Sequence, residues 1–248
     1  MCLLRDTQCA MAQAEELPPY LVSRPNLVDT AADAIRRMIF TEELVPGSRI
    51  RELQLCRRLS VSRTPVRAAL VALSKEGLVD LVARRGAFVH AYSDRELVEV
   101  YQIRAVLDGL AAELAVANAA PEALRLIETT IEEEEREYRR IAAGTSEARL
   151  GPRESYALAM HDLRFHRAVL QAAGNQQLLF LMDGGHVMHK SLFVMLKYPL
   201  VKRVEVRIEE HRQFLSALRD RDADRARSLA RAHVDAMIAA LGASSEPG

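Results

Sequence analysis

The sequence predicts a mainly α protein in two parts: a small head of three helices and a β-hairpin, then an all-helical bundle of six or seven helices. Three observations carry this. Apolar residues recur at helical spacing through most of the stretch from Ser93 to Leu241. Only two short runs, Leu78–Ala83 and Ala87–Ala91, read as strands, and they flank the polar tip Arg84-Arg85-Gly86. The charge is also unevenly placed. Arg24–His90 holds 12 basic and 7 acidic residues, net +5, although the 248-residue chain has 34 of each and a net charge of zero. A polyanion therefore suits one end of the chain and not the other.

Composition narrows the class further. With 49% hydrophobic residues, the chain can bury a core, which excludes wholesale disorder. Apolar stretches such as Leu178–Met182 are far too short to cross a bilayer, and Asp6, Glu15 and Glu16 interrupt the N-terminus where a secretion signal would be apolar. The three cysteines, Cys2, Cys9 and Cys56, have no CxxC spacing. That argues against a disulfide framework or a thiolate zinc site and fits a reducing cytoplasm.

The elements follow in order. Residues 1–24 read as a tail, with Pro18-Pro19 and no sustained period. Residues 25–91 form the head. Its first helix carries Leu27, Ala31, Ile35 and Met38 and stops near Thr41, before the turn pair Pro46-Gly47. A short helix at Glu52–Leu59 turns Leu55 and Leu59 inward. The next begins at Ser62 as N-cap, tolerates Pro65 in its first turn and ends at Gly77. Three helices and a basic-tipped hairpin describe a winged helix-turn-helix. Residues 92–242 form the bundle. Ser93 and Glu96 make a capping box for a helix to Asn118, Pro121 opens one to about Gly144, and Thr145–Gly151 is a loop. Helices are expected at Ser155–Ala172, Gln176–Lys197 (interrupted at Gly184-Gly185, stopped by Tyr198-Pro199), Val201–Arg219 and Ala223–Leu241; 243–248 is a tail.

The head's chemistry lies in Ser62-Arg63-Thr64-Pro65-Val66-Arg67. At a helix N-terminus the Ser62 and Thr64 hydroxyls and free backbone N–H groups can hold phosphate oxygens. Arg63 and Arg67, four apart, share a face and can each make a bidentate contact to guanine in the major groove. Arg84 and Arg85 at the hairpin tip would reach backbone or minor groove. Four arginines alone describe any solvated basic face; the helix-turn-helix scaffold and the +5 charge favour DNA.

In the bundle, Asp162 and His166 are i and i+4 on one helix. His211 and His233 lie eleven residues either side of Asp222, in the turn of a helical hairpin, so both sit at equal height, about 16 Å from the turn at ~1.5 Å per residue. Three imidazoles and one carboxylate can converge there. That set suits a divalent ion such as Zn²⁺, Ni²⁺ or Mn²⁺, although spacing alone does not separate it from four ordinary core side chains. His90, His161, His186 and His189 read as ordinary core or surface histidines. The acidic run Glu132–Glu135, with Arg136, Arg139 and Arg140, reads as a solvated helix face.

The stretch Leu44-Val45-Pro46-Gly47-Ser48-Arg49-Ile50-Arg51-Glu52, then Val61-Ser62-Arg63-Thr64-Pro65-Val66-Arg67-Ala68-Ala69-Leu70, Glu76-Gly77-Leu78-Val79 and Arg85-Gly86-Ala87-Phe88-Val89, resembles the N-terminal domain of the GntR family of bacterial transcription regulators. The helical remainder resembles the FCD effector domain of its FadR subfamily, and the two together span about residues 27–241. Departures are Ser60, Cys56 and Ala68, where Gly, Ala and Glu are usual. The resemblance implies Arg63, Thr64 and Arg67 as direct readers and Arg49 and Arg51 as phosphate or base contacts. It also implies Asp162, His166, His211 and His233 as metal ligands. Arg104 then stands where the family often places a pocket arginine for a small carboxylate effector, and Asn175 is a further pocket position that a helix C-cap explains equally well. The expected protein is a ligand-responsive regulator, by default a repressor, binding an inverted-repeat operator on double-stranded DNA as a homodimer. Two other readings stand beside it. One is a metal-dependent enzyme using the Asp/His₃ set, which lacks an HExxH or ExxH motif and an evident general base. The other is a sensor for which the ion itself is the signal.

Overall fold

A computed structural model describes residues 26–144, 149–184, 187–197 and 201–243. Residues 1–25, 145–148, 185–186, 198–200 and 244–248 lie outside them, and with them the expected tail 1–24, His186, Tyr198-Pro199 and all of the expected tail 243–248 except Ala243, which instead ends the last helix. The head runs α1 (Leu27–Phe40), β1 (Arg49–Ile50), α2 (Glu52–Leu59), α3 (Arg63–Lys75), β2 (Val79–Val82) and β3 (Gly86–Val89). The bundle runs α4 (Asp94–Asn118), α5 (Pro121–Gly144), α6 (Pro152–Ala172), α7 (Gln176–Leu179), a π-helical segment (Phe180–Gly184), α8 (Val187–Lys197), α9 (Val201–Arg219) and α10 (Ala223–Ala243).

The head is a winged helix-turn-helix with a three-stranded sheet in the order β1-β3-β2. The hairpin pairs antiparallel, with Val79 opposite Val89 and Val82 opposite Gly86. The sequence reading omits β1, because two residues are too few to show an alternation. Yet β1 pairs Arg49 with Phe88 and so fixes Arg49 beside the hairpin. Inside, Ile35, Ile39, Val66, Leu70, Leu73 and Leu78 are buried together. Ser60 ends α2 in the left-handed region (φ 55°), the conformation for which glycine is usual at a helix C-terminus.

In the bundle α10 lies along α4, while α5 packs on α6 and α9, and α9 on α10. The Ser93–Glu96 capping box forms as the sequence implies. Helix α6 begins three residues before the expected Ser155, with Pro152 in its first turn. Gly174 (φ 69°) reverses the chain after α6, and the expected helix at 176–197 is α7, the π segment and α8.

The acidic run on α5 needs correction. Glu134 is not on a solvated face: it is 0% exposed and bonded to Arg207 and His211. Its position follows from helix phase. Ile127, Ile131, Glu134, Tyr138 and Ile141 fall on one stripe, and all of it faces the bundle.

The two parts meet through aromatic side chains. Phe40 of α1 packs on Phe193 of α8 (ring centroids 5.0 Å) and on Tyr156 of α6 (5.9 Å). Tyr92, just before α4, packs on Phe193 at 4.9 Å.

Candidate functional site

The first site is the exposed face of the head. Ser62 occupies the N-cap position of α3 as expected, but its hydroxyl makes no capping bond. The first turn of α3 thus has no side-chain cap from Ser62, which leaves its N–H groups available to a phosphate oxygen. Ser62, Arg63, Thr64, Arg67, Arg84 and Arg85 are all exposed. Arg49, Arg51 and Arg63 line one surface groove with Arg57 of α2 and Gly86-Ala87 of β3. Arg57 was missed because it lies outside the expected reading helix; the exposed side of a short amphipathic α2 could have pointed to it. Arg67 is not free: its Nε is 2.8 Å from the Glu52 carboxylate. At the wing, Arg84 sits in the left-handed region (φ 61°) and Arg85 lies over the Phe88 ring at 5.5 Å.

The second site lies inside the bundle. Asp162 and His166 project from α6, His211 from α9 and His233 from α10, and one ligand atom of each lies within 4.8 Å of all the others. All four are buried. The equal-height argument holds in the structure: the α9–α10 hairpin turns at Asp220–Asp222, and the His211 and His233 rings are 5.2 Å apart. His166 stands 5.7 Å from His211 and 5.2 Å from His233.

Each hairpin imidazole is held from behind by a carboxylate. Glu134 Oε2 is 3.1 Å from His211 Nδ1, and Glu210 Oε2 is 2.7 Å from His233 Nδ1. Donating Nδ1–H outward leaves the Nε2 lone pair facing the centre, as metal-ligating histidines require. Burial raises the Glu210 carboxyl, but His233 and Arg203 outweigh it and draw the carboxyl down to about 2. Burial, then Arg104, holds the His166 imidazole well below its ordinary value, and burial also lowers His233. Both rings are thus kept neutral.

The residues fit a divalent cation on a specific observation. Asp162 Oδ1 and His211 Nε2, 3.5 Å apart, are buried and make no hydrogen bond, although the Arg207 Nε lies 3.4 Å from the same Asp162 oxygen as an ion-pair partner. For His211 Nε2, lacking a hydrogen-bond partner in burial costs roughly 1–3 kcal/mol. Metal–ligand bonds of about 2.0–2.2 Å place neighbouring ligand atoms roughly 3–4 Å apart, which matches the 3.5 Å here and the 3.7 Å between Asp162 Oδ1 and His166 Nε2.

Arg104 is not an exposed helix arginine: it is 3% exposed. Its Nη2 lies 3.0 Å from Asp108 and 3.1 Å from His166 Nε2, and its Nη1 donates to Ser191 Oγ at 2.9 Å. The cavity against the histidines is lined by Asp108, Phe165, Leu170, Glu210, Phe214 and Leu229, among others, with room for about one water or ion (≈ 20 Å³). Asn175 is not among its walls and is not a C-cap. It caps the start of α7, where its Oδ1 accepts from the N–H groups of Gln177 and Leu178. Glu134, Glu210, Asp108 and Arg207 are the polar residues of this site that the sequence reading missed. The i,i+4 pairs Arg104–Asp108 and Arg207–His211 were the available signal.

No helix among the described residues is long and apolar enough to cross a membrane. Residues 27–89 match the model for bacterial regulatory proteins of the gntR family, and residues 99–236 match the FCD domain. The HTH-type transcriptional regulator YdhC of Bacillus subtilis is 30% identical over 80% of this chain and 84% of its own length. A probable D-xylose utilization operon transcriptional repressor of Paenarthrobacter nicotinovorans is 28% identical over 87% and 91%. Among solved structures, Escherichia coli McbR/YncC shares the fold with a TM-score of 0.72 at 20% identity, covering 90% of this chain and all of that one. The head's basic face and the matching of both parts in sequence agree: the chain belongs to the GntR family, as a DNA-binding transcriptional regulator, not an enzyme, with an FCD domain of the FadR-like type.

Proposed function

We propose that this regulator is a homodimeric repressor whose helical domain holds a divalent cation with Asp162, His166, His211 and His233, and which leaves its inverted-repeat operator when a small carboxylate binds beside that cation. The observation that carries the metal reading is the convergence of one ligand atom from each of the four buried residues, with His211 Nε2 lacking a hydrogen-bond partner 3.5 Å from Asp162 Oδ1 and the hairpin imidazoles oriented by Glu134 and Glu210. The cation would supply a Lewis-acidic point for a carboxylate oxygen. Burial keeps the His166 and His233 imidazoles neutral, and the Glu134 and Glu210 carboxylates orient the His211 and His233 rings. The repressor reading draws support from the Paenarthrobacter relative, which is named as a repressor.

In this reading Arg63, Thr64, Arg67, Arg49 and Arg51 contact base edges or phosphates, Ser62 and the free α3 N-terminus hold a phosphate, and Arg84 and Arg85 follow the backbone. The test is elemental analysis of the purified protein, followed by titration of a selected operator duplex with chelator and with small acids. About one Zn, Ni or Mn per chain, lost in His211→Ala, is the expected result; absence of metal from freshly purified protein at neutral pH overturns the metal reading. The small cavity favours one second reading, in which the ion alone is the signal, because a carboxylate needs its wall to open. Operator release that depends on chelator but on no acid supports that second reading.

A further inference from the structure

The nitrogen of His166 that faces Asp162 is already engaged. Arg104 Nη2 stands 3.1 Å from His166 Nε2, and that nitrogen has one lone pair. It accepts from the guanidinium or donates to a cation, not both. Taking a cation into the four-residue set therefore requires Arg104 to move away from His166. Arg104 is not loosely held. Its Nε and Nη2 meet Asp108 Oδ2 at 3.2 and 3.0 Å, and its Nη1 donates to Ser191 Oγ at 2.9 Å.

Ser191 is on α8, and α8 is tied to the same place once more. Tyr101 of α4 donates its hydroxyl to the Ser191 carbonyl at 3.1 Å, and the Arg104 guanidinium lies 5.3 Å from the Tyr101 ring centre. Two residues on, Phe193 packs on Phe40 of α1 and on Tyr92. The Tyr92 hydroxyl donates to the carbonyl of Gly77, at 2.7 Å, just after the DNA-reading helix α3 ends. Lys190 of α8 covers the same glycine: a Cβ there would fall 3.0 Å from its Cε and 2.8 Å from the Tyr92 hydroxyl. The path from the buried histidines to the end of α3 thus runs through one side chain of α4, one helix and one tyrosine, with each link a contact in the structure. The contacts of Lys190, Ser191 and Phe193 all fall within one turn of α8, so a shift of that turn at Ser191 reaches Phe193 and Lys190 together.

We propose that Arg104 and α8 form the transmission between the metal centre and the reading head: cation binding displaces Arg104 from His166, Arg104 pulls or releases α8 through Ser191, and α8 shifts α3 through Phe193, Tyr92 and Gly77. This rests on the metal reading above and adds to it a route and a direction of cause. The route uses Ser191 and Phe193, neither of which belongs to the ligand set or to the basic face.

The test compares the full-length protein with Ser191→Ala, which removes the hydroxyl that holds Arg104, and with Phe193→Leu, which removes the aromatic contact to the head. Three quantities are measured with Zn²⁺ or Mn²⁺ as probe. They are metal affinity by calorimetry, hydrogen exchange of the amides of residues 187–194, and affinity for a duplex selected by the wild-type protein from a random pool. In the wild type, metal changes the exchange of α8 and shifts duplex affinity by roughly 5- to 150-fold, the range of an ordinary allosteric coupling. In Ser191→Ala, metal affinity stays within about threefold while the metal-dependent shift in duplex affinity falls to a small fraction of its wild-type size. Phe193→Leu keeps the α8 response to metal and loses the duplex response. A full duplex response in Ser191→Ala, or metal uptake by the wild type with unaltered α8 exchange, overturns the transmission and leaves the metal centre standing. Failure of the wild type to take up either metal overturns the centre itself and the transmission with it.

Discussion

At the scale of single residues, the chain places side chains where a generic reading of their type fails. Glu134 is a carboxylate at 0% exposure because it holds both Arg207 and His211. Removing one partner of such a set leaves a buried charge uncompensated, at about 3–5 kcal/mol. Glu134→Ala is therefore expected to lower stability by that amount in chemical unfolding. Glu134→Gln, which preserves volume, should weaken metal binding by about 10- to 100-fold because His211 loses its carboxylate; unchanged metal affinity in Glu134→Gln would deny Glu134 that role. Ser60 is the opposite case. Its left-handed backbone costs an L-residue roughly 1–2 kcal/mol, against about 0.5–1 kcal/mol of added chain entropy for glycine. Ser60→Gly should thus stabilise the head by about 0.5–1 kcal/mol in thermal unfolding. The convergence of Asp162, His166, His211 and His233 could be read as a possibility from their spacing, since i,i+4 and symmetry about a turn survive folding unchanged, but spacing alone left it level with four ordinary core side chains and the family resemblance singled it out. Arg104's burial was not, because burial depends on Ser191 and His166, 87 and 62 residues away.

At the scale of elements, amphipathic helices were read almost to the residue wherever a cap or glycine punctuates the sequence, as at Ser93 and Gly77. What escaped was structure made by pairing. β1 has two residues and exists because β3 offers an edge, and the π segment carries no distinct local signal. The reading helix α3 is the element on which operator specificity should turn. Arg63, exposed and with no acidic partner within 4 Å among the described residues, should cost about 1–3 kcal/mol of operator affinity when changed to Ala, blurring one base position. Arg85→Ala at the wing should instead weaken all duplexes alike and reduce the salt slope by about one. Binding isotherms at several salt concentrations separate the two outcomes.

For the whole molecule, acid sensitivity follows from the buried imidazoles. His166 and His233 have folded pKa values below the ordinary histidine value because burial, with Arg104 beside His166, disfavours their charged forms. Above about pH 6.5 both are neutral whether folded or unfolded, so they carry no penalty. As pH falls below that value the unfolded chain takes up protons that the folded chain refuses, and stability declines. Urea unfolding in chelator should show this loss between about pH 6.5 and 5, and His233→Gln should flatten it; a stability that rises with acid across that range would contradict it. Metal should leave over the same window, since protons compete for the same lone pairs.

The hairpin of α9 and α10 works as a ruler. His211 and His233 face each other only because equal lengths of helix separate each from the reversal at Asp220–Asp222. One residue inserted between Ala223 and His233 would swing the second ring by about 100° and slide it ~1.5 Å. Length, not composition, is therefore what this segment must keep. Substitutions along its outer face should pass unnoticed, whereas any single-residue indel between the two histidines should open the cage.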